Sequence, residues 1–370
     1  MTKVCIVGGG NLAHATMGMF SLLGDVSINL LTNRPERWGN CFELTLPEGE
    51  VPSAFASGTV LPRKVTTHIA KVSADPAELV PGCDIVLLCL PAFLVEETIV
   101  KLAPFVDPAR LSADNAPILG SIVANTGFFI FCHKHLSPQA KLFSFQRVPY
   151  VARVTEYAKS ANLLGFRDEL FMATENIGEQ PAQPATAQPS QPFATLDAFT
   201  EEVVRLFGEK VTLVDTFYEV TLSNSNPILH TGRLYTMLKD WDGRPFAECP
   251  LFYREWTDEA SELDIAMDRE FFALLQALKV DTTHIETLLA HYEAVDAAGM
   301  TRKLRSIESL STILSPMKQT PEGWVPDFGS RYFTEDFPFG LSFIKESSSA
   351  RGLATPNIDK VLAWGLSKIS

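Results

Sequence analysis

Apolar residues in the first half of the chain come in short unbroken runs. "KVCIVG" (3–8), "VSINLLT" (26–32), "CDIVLLCLP" (83–91), "PILGSIVA" (117–124) and "KLFSFQ" (141–146) are each apolar enough to bury both faces of a strand. Between them the spacing shifts to the helical period, as in "NLAHATMGMFSLL" after the first run and "VEETIVKLAPFV" after the third. Continuous apolar strands separated by helices predict an α/β fold: a Rossmann-type, doubly wound parallel sheet covered on both faces.

The pattern breaks at "GEQPAQPATAQPSQP" (178–192), which is rich in Pro, Gln and Ala and has no period. Such a stretch cannot bury enough surface to order itself, so it reads as a loop or linker, or as an insertion within one domain. The boundary is expected near 195, giving a dinucleotide-binding domain over 1–195 and an all-helical domain over 196–370. In "ELDIAMDREFFALLQAL" the residues Leu263, Met267, Phe271, Leu274 and Leu278 fall on one helix face. "DTTHIETLLAHYEAV" (281–295) reads as a further helix. "GSRYFTEDFPFGL" (329–341), with its Pro-Phe-Gly turn, predicts a shaped loop rather than a helix or a free tail. No internal repeat is present.

Composition narrows the function classes. The chain has 370 residues, 46% hydrophobic and 20% charged, with a formal net charge of -13. That acidity argues against nucleic acid or an anionic membrane as the main partner, while leaving room for a local basic pocket. No apolar run reaches the roughly 18 to 20 residues that span a bilayer, and "MTKVCIVGGG" is too short and Gly-rich for a signal peptide. Cys5, Cys41, Cys83, Cys89, Cys132 and Cys249 are scattered, with Cys5 and Cys89 inside strand-like runs. They read as small buried thiols of a reducing cytoplasm rather than a disulfide framework. "CHKH" (132–135) has no second cluster to complete a tetrahedral set, so no metal site is expected.

"VCIVGGGNLAHA" places Gly8, Gly10 and Ala13 in the spacing of a dinucleotide-binding turn. Gly8 permits the tight strand-to-helix turn, Gly10 lets backbone approach a pyrophosphate, and Ala13 lets the helix pack close to the sheet. Asn11 and Leu12 open that helix, whose free N–H groups and dipole favour phosphate. The alternative is a Gly-rich turn with no ligand. At the end of the second strand, "LLTNRPERW" has no acid before Glu36 to hold a ribose 2′-hydroxyl. Thr32, Asn33, Arg34 and Arg37 stand there instead. Arginine forks bind phosphate bidentately, so NADP(H) is expected over NAD(H); the alternative is two solvated loop arginines. Leu90 and Pro91, at the carboxyl end of another strand, are expected to line the nicotinamide side.

A nucleotide turn does not define the reaction. In "NSNPILHTGRLY" (224–235), His230 follows an Asn-Pro pair and precedes Arg233. It reads either as a proton-transfer group or as a structural histidine. Asn226, four residues earlier, would share its helix face and either contact substrate or cap the helix. Arg331 and Asp336 flank the aromatics of the later segment. Arg147, in "FQRVPYVAR", follows a strand and could bind a carboxylate. Trp256 and Asp268 belong to no motif.

The segments "GGGNLAHA", "DIVLLCLPAF", "NPILH" and "RYFTEDFPFGL" together resemble the opine dehydrogenases, the octopine, nopaline and carboxyethyl-amino-acid dehydrogenase group. The resemblance runs over nearly the whole chain. It implies that His230 is the catalytic histidine, Asp336 its partner carboxylate and Arg331 a substrate-binding arginine. It also implies the reaction: an amino acid condenses with a 2-oxo acid, often pyruvate, and the imine is reduced by hydride from the nicotinamide. Histidine, with an ordinary pKa near 6.5, suits proton transfer near neutrality, and a carboxylate on its other nitrogen fixes the tautomer. The 178–192 stretch and the two arginines depart from the family pattern. Two other readings stand beside this one. A ketopantoate-reductase-like 2-oxo acid reductase would use a lysine in the helical domain, and none accompanies the His230 or Asp336 segments. A non-catalytic NADP(H) sensor would need no proton relay. The expected partners are small molecules, and the expected assembly is a monomer or a homodimer.

Overall fold

The computed structural model describes residues 1–56, 58–111, 116–178, 193 and 195–369. From 179 onward the expected Pro/Gln-rich loop lies outside the described residues. The chain divides into two compact units, Met1–Thr221 and Leu222–Ser370.

The strands of the first unit are β1 (Thr2–Val7), β2 (Val26–Leu31), β3 (Cys41–Thr45), β4 (Lys64–His68), β5 (Lys71–Ser73) and β6 (Ile85–Leu88). They continue with β7 (Ile118–Ser121), β8 (Leu142–Phe145), β9 (Tyr150–Glu156), β10 (Ser160–Phe166), β11 (Glu169–Glu175) and β12 (Lys210–Leu213). Its helices are α1 (Asn11–Ser21), α2 (Pro76–Leu79), α3 (Ala92–Val106), α4 (Phe128–His135), α5 (Leu196–Phe207) and α6 (Phe217–Thr221). One eight-stranded sheet runs β12-β11-β8-β7-β6-β1-β2-β5. Its centre is the expected parallel core: Val4 pairs in register with both Ile28 and Ile85, and Ile6 with both Leu30 and Leu87. Val4 and Ile6 of β1, Leu87 and Leu88 of β6 and Leu119 of β7 are essentially solvent-free. The sheet is not wholly parallel, because β11 meets β8 antiparallel.

The expected boundary at 195 falls inside this unit. Thr195 caps α5 by accepting the Ala198 N–H, and Phe199, Val203, Leu206 and Phe207 of α5 are buried against the sheet core. Gly208 then ends the helix in the left-handed conformation and β12 returns parallel to β11. Burial of that helix face, stronger than any composition signal, extends the unit to Thr221.

A second sheet, β4-β3-β10-β9, was not expected. Its strands alternate buried and more exposed positions, so they lack the continuous apolar runs that mark the main sheet. It is tied to α1 by buried polar contacts: His14 Nδ1 donates to the Gly10 carbonyl at 2.9 Å, and His14 Nε2 accepts the Ala158 N–H at 3.1 Å. Burial pushes the His14 pKa down, so the ring serves as a neutral, fixed bridge.

In the second unit the helices are α7 (Asn226–Leu238), α8 (Asp258–Ala277), α9 (Leu288–His291), α10 (Ala297–Ser306), α11 (Arg331–Thr334), α12 (Ser342–Ser349) and α13 (Pro356–Ile369). A hairpin of β13 (Met317–Thr320) and β14 (Gly323–Pro326) departs from the all-helical expectation. The helix expected over 281–295 shrinks to α9. Lys279 and Glu293 adopt positive φ on either side of it, and the Asp268 carboxylate takes the Leu288 N–H that a longer helix would have used internally. The segment 329–341 is helical rather than a loop. α11 leads into a π turn over Phe337–Leu341, where the Leu341 N–H donates to the Asp336 carbonyl. Among the described residues, no helix is long and apolar enough to cross a membrane.

Candidate functional site

The first cluster sits where β1 turns into α1. Gly8 has φ +120, and a Cβ there would lie 2.6 Å from the Cys89 carbonyl oxygen and 3.1 Å from Leu90 Cδ2. Only glycine fits. Gly10, at the start of α1, has nothing within 4 Å of its Cβ direction, and no side chain caps the helix. An uncapped helix N-terminus behind an open glycine is suited to phosphate. Ala13 is fully buried, Leu12 is half-buried on the core, and Leu90 and Pro91 are half-buried with Pro91 at the start of α3. Asn11 is committed elsewhere: its side-chain oxygen accepts the Val154 N–H at 2.8 Å. Its side-chain oxygen therefore anchors the small sheet.

At the end of β2, Thr32 is buried, and its hydroxyl oxygen accepts the Arg34 N–H at 3.4 Å. Asn33, Arg34 and Arg37 are exposed. Among the described residues no carboxylate pairs with either guanidinium. Arg37 lies over the Tyr157 ring at 5.7 Å, and the Trp38 indole N–H donates to the Tyr157 hydroxyl at 3.3 Å. Tyr157 comes from the turn between β9 and β10, and its hydroxyl lies 2.7 Å from where a Cβ on Gly9 would be. Sequence reasoning missed this neighbour of the glycine turn, since a tyrosine in a hairpin turn carries no motif.

The second cluster lies in the second unit, on the buried face of α7. His230 Nδ1 is 2.8 Å from Asp336 Oδ2, although 106 residues separate them. The expected pairing is thus present. On the other side, His230 Nε2 is 3.0 Å from the Tyr253 hydroxyl. Tyr332 (ring centroids 4.7 Å apart) and Phe252 (5.7 Å, edge-on) complete an aromatic wall around the imidazole. Asp336 is held because the residue after it, Phe337, is fully buried and stacked on Phe333. Burial, and then the neighbouring Tyr332, Tyr292 and Asp336, pushes the Tyr253 phenol well above its ordinary range, so it stays protonated.

Arg233, one helical turn beyond His230, is buried, and among the described residues no carboxylate is bonded to it. It donates to the Phe252 carbonyl (3.2 Å) and the Glu255 carbonyl (2.8 Å), and lies 5.6 Å from the Trp256 ring. Burial pushes its pKa down to about 10, which still leaves it charged at neutral pH. Trp256 is fully buried and bonded to Ser261, so it is core; Asp268 holds the Leu288 N–H.

Other candidates are placed differently. Arg331 is exposed and forms a bidentate pair with Glu335, both bonds at 2.7 Å. Asn226 is exposed as the first residue of α7, with its N–H donating to Asn224 Oδ1 at 3.1 Å; the cap position belongs to Ser225, without a side-chain bond. Arg147 is exposed just beyond β8.

Residues 213–368 match the family model described as "NAD/NADP octopine/nopaline dehydrogenase, alpha-helical domain". The chain is 28% identical to an opine dehydrogenase of Haliotis discus hannai, over 98% of this chain and 90% of that protein. It is 28% identical to an octopine dehydrogenase of Mizuhopecten yessoensis, over 99% and 90%. A solved octopine dehydrogenase, with NADH and L-arginine, superposes with a TM-score of 0.80 at 26% identity, over all of this chain and 90% of that one. The chain is thus similar to opine dehydrogenases over nearly its whole length. The matched residues of this oxidoreductase include His230 on α7 and Asp336, which precedes the π turn.

Proposed function

We propose that the protein catalyses the NADPH-dependent reductive condensation of an amino acid with a 2-oxo acid such as pyruvate, giving an opine, and the reverse oxidation. The observation that carries this reading is His230 held by Asp336 through Nδ1. A carboxylate there keeps the proton on Nδ1 in the neutral ring and stabilises the imidazolium. The ring can then take a proton from the attacking amine and return one to the departing hydroxyl as the imine forms.

The glycine turn fits a dinucleotide. Gly8 cannot carry a Cβ, Gly10 faces open space, and the uncapped start of α1 offers N–H groups. A bound nicotinamide would supply the hydride that reduces the imine. Arg34 and Arg37, exposed and free of carboxylate partners among the described residues, are assigned to the 2′-phosphate, which is the basis for NADPH over NADH. Thr32 and Asn33 border that position, and Leu90 and Pro91 the nicotinamide side. Arg331 is assigned to a substrate carboxylate, which must displace Glu335 from the guanidinium. Asn226 and Arg147 are secondary candidates for substrate contact. The relatives' names, opine and octopine dehydrogenase, support the reaction class; the amino acid used by this chain follows from neither name. We place the enzyme in the cytoplasm on its free cysteines.

The test is a substrate panel. NADPH oxidation is expected only when an amino acid and a 2-oxo acid are both present. Turnover of an oxo acid alone would replace this reading with a simple oxo acid reductase, and cofactor binding without turnover on any pair would replace it with a sensor.

A further inference from the structure

Both nitrogens of the proposed acid–base ring are already engaged. Nδ1 belongs to Asp336, and Nε2 faces the Tyr253 hydroxyl at 3.0 Å. A proton leaving the ring toward substrate must depart from Nε2, since Nδ1 is held by a carboxylate. The first atom it meets is the Tyr253 oxygen.

That hydroxyl is not there by chance of rotamer. α7 places His230 and Arg233 one turn apart, on the same side of the helix. Arg233 grips the carbonyls of Phe252 and Glu255, which bracket Tyr253. The Tyr253 ring stacks on Trp256 at 5.8 Å and 8°, and Arg233 lies over that same indole. Trp256 is itself pinned by its N–H bond to Ser261 at 3.1 Å. One helix thus holds the imidazole and, through a buried guanidinium, the phenol that faces it. Swinging Tyr253 aside to free Nε2 would break its stack on Trp256. Carrying the proton across requires no rearrangement.

We propose that Tyr253 is a catalytic residue, the group that exchanges the His230 proton with the reacting molecule. The inference rests on the condensation reading above. As the carbinolamine collapses, the proton on His230 Nε2 moves to the Tyr253 oxygen while the Tyr253 hydroxyl proton moves to the departing oxygen. The C–O bond breaks with its electron pair leaving on water, and the nitrogen lone pair forms the C=N bond. Tyr253 ends as the neutral phenol it began as, and His230 ends neutral. Burial, and then Tyr332, Tyr292 and Asp336, raise the cost of a phenolate at Tyr253, so the two transfers run together rather than through an ionised tyrosine.

Tyr253→Phe tests this while keeping the ring, its stack and the backbone held by Arg233. We expect kcat to fall on the order of 100-fold, the usual worth of one proton-transfer group, with KM values and cofactor binding changed little. The His230→Ala/Tyr253→Phe double variant should be no slower than His230→Ala, because two members of one relay are not additive. Turnover of Tyr253→Phe within about threefold of wild type would overturn the proposal, as would additive losses. A wild-type enzyme that turns over no pair from the panel would instead defeat the condensation reading. In that event the contact itself is still read from the ¹⁵N resonance of His230 Nε2. A shift on Tyr253→Phe is expected, and an unmoved resonance would remove Tyr253 from His230.

Discussion

A histidine flanked by a carboxylate and a phenol has its proton positions decided by those two neighbours. Asp336 accepts, so Nδ1 donates; Tyr253 stays protonated, so its O–H can donate to a bare Nε2. Asp336→Asn keeps the shape but can turn an amide N–H toward Nδ1, which favours the wrong tautomer. We expect kcat to drop by about 10² to 10⁴, as for an orienting carboxylate elsewhere, with cofactor affinity unchanged by fluorescence titration. A loss of less than tenfold would make Asp336 a structural partner only. The His230–Asp336 pairing was legible because each residue sits in a short motif whose residue types and order match one family. Tyr253 and Arg233 were not. Arg233 stood in plain view in the quoted segment, yet its role depends on which carbonyls the fold brings to it. Arg331 shows the opposite case: its motif was legible, but its engagement with Glu335 was not, because an i, i+4 pair competes with any distant partner.

At the scale of elements, periodicity succeeded where burial is one-sided or complete and failed where polar contacts decide. The buried strands and α8 follow the expected runs. The 281–295 segment has helical spacing, but Thr287 and the Asp268 carboxylate restart the backbone at Leu288. Asp268 also makes α8 pH-sensitive. Burial pushes its pKa up to about 6, with the Leu288 N–H opposing. An aspartate raised in the folded state binds its proton more tightly there than in the unfolded chain. Its contribution to stability is therefore full below the unfolded value of about 3.9 and is lost as pH climbs to about 6. Asp268→Asn keeps an oxygen for the Leu288 N–H and carries no charge. The variant should be more stable than wild type above pH 6, by at most about 3 kcal/mol, with the gap closing near pH 4. Urea melts at pH 4.5 and 7.5 measure this, and a gap independent of pH would show that Asp268 does not titrate in that window.

For the molecule as a whole, one unit carries the glycine turn and the other the His230–Asp336 pair. The existence of these units was readable from the change of texture along the chain. Their boundary was not, because α5 and β12 follow the Pro/Gln-rich stretch yet complete the sheet before it. The division predicts how ligands and substitutions combine. A cofactor that binds only folded protein stabilises it by about 2.7 kcal/mol at a hundredfold excess over Kd. With Arg34 and Arg37 assigned to a 2′-phosphate, NADPH should raise Tm more than NADH at equal concentration. Arg34→Ala should shrink that difference, because it removes a fork that only the phosphate uses. His230→Ala should leave it intact, because His230 belongs to the other unit. The difference should also narrow as salt is added, since exposed arginines are screened. Equal shifts with both cofactors in wild type would return Arg34 and Arg37 to the solvent and leave NADH as the better assignment. A shift lost in His230→Ala would mean instead that cofactor binding depends on the second unit.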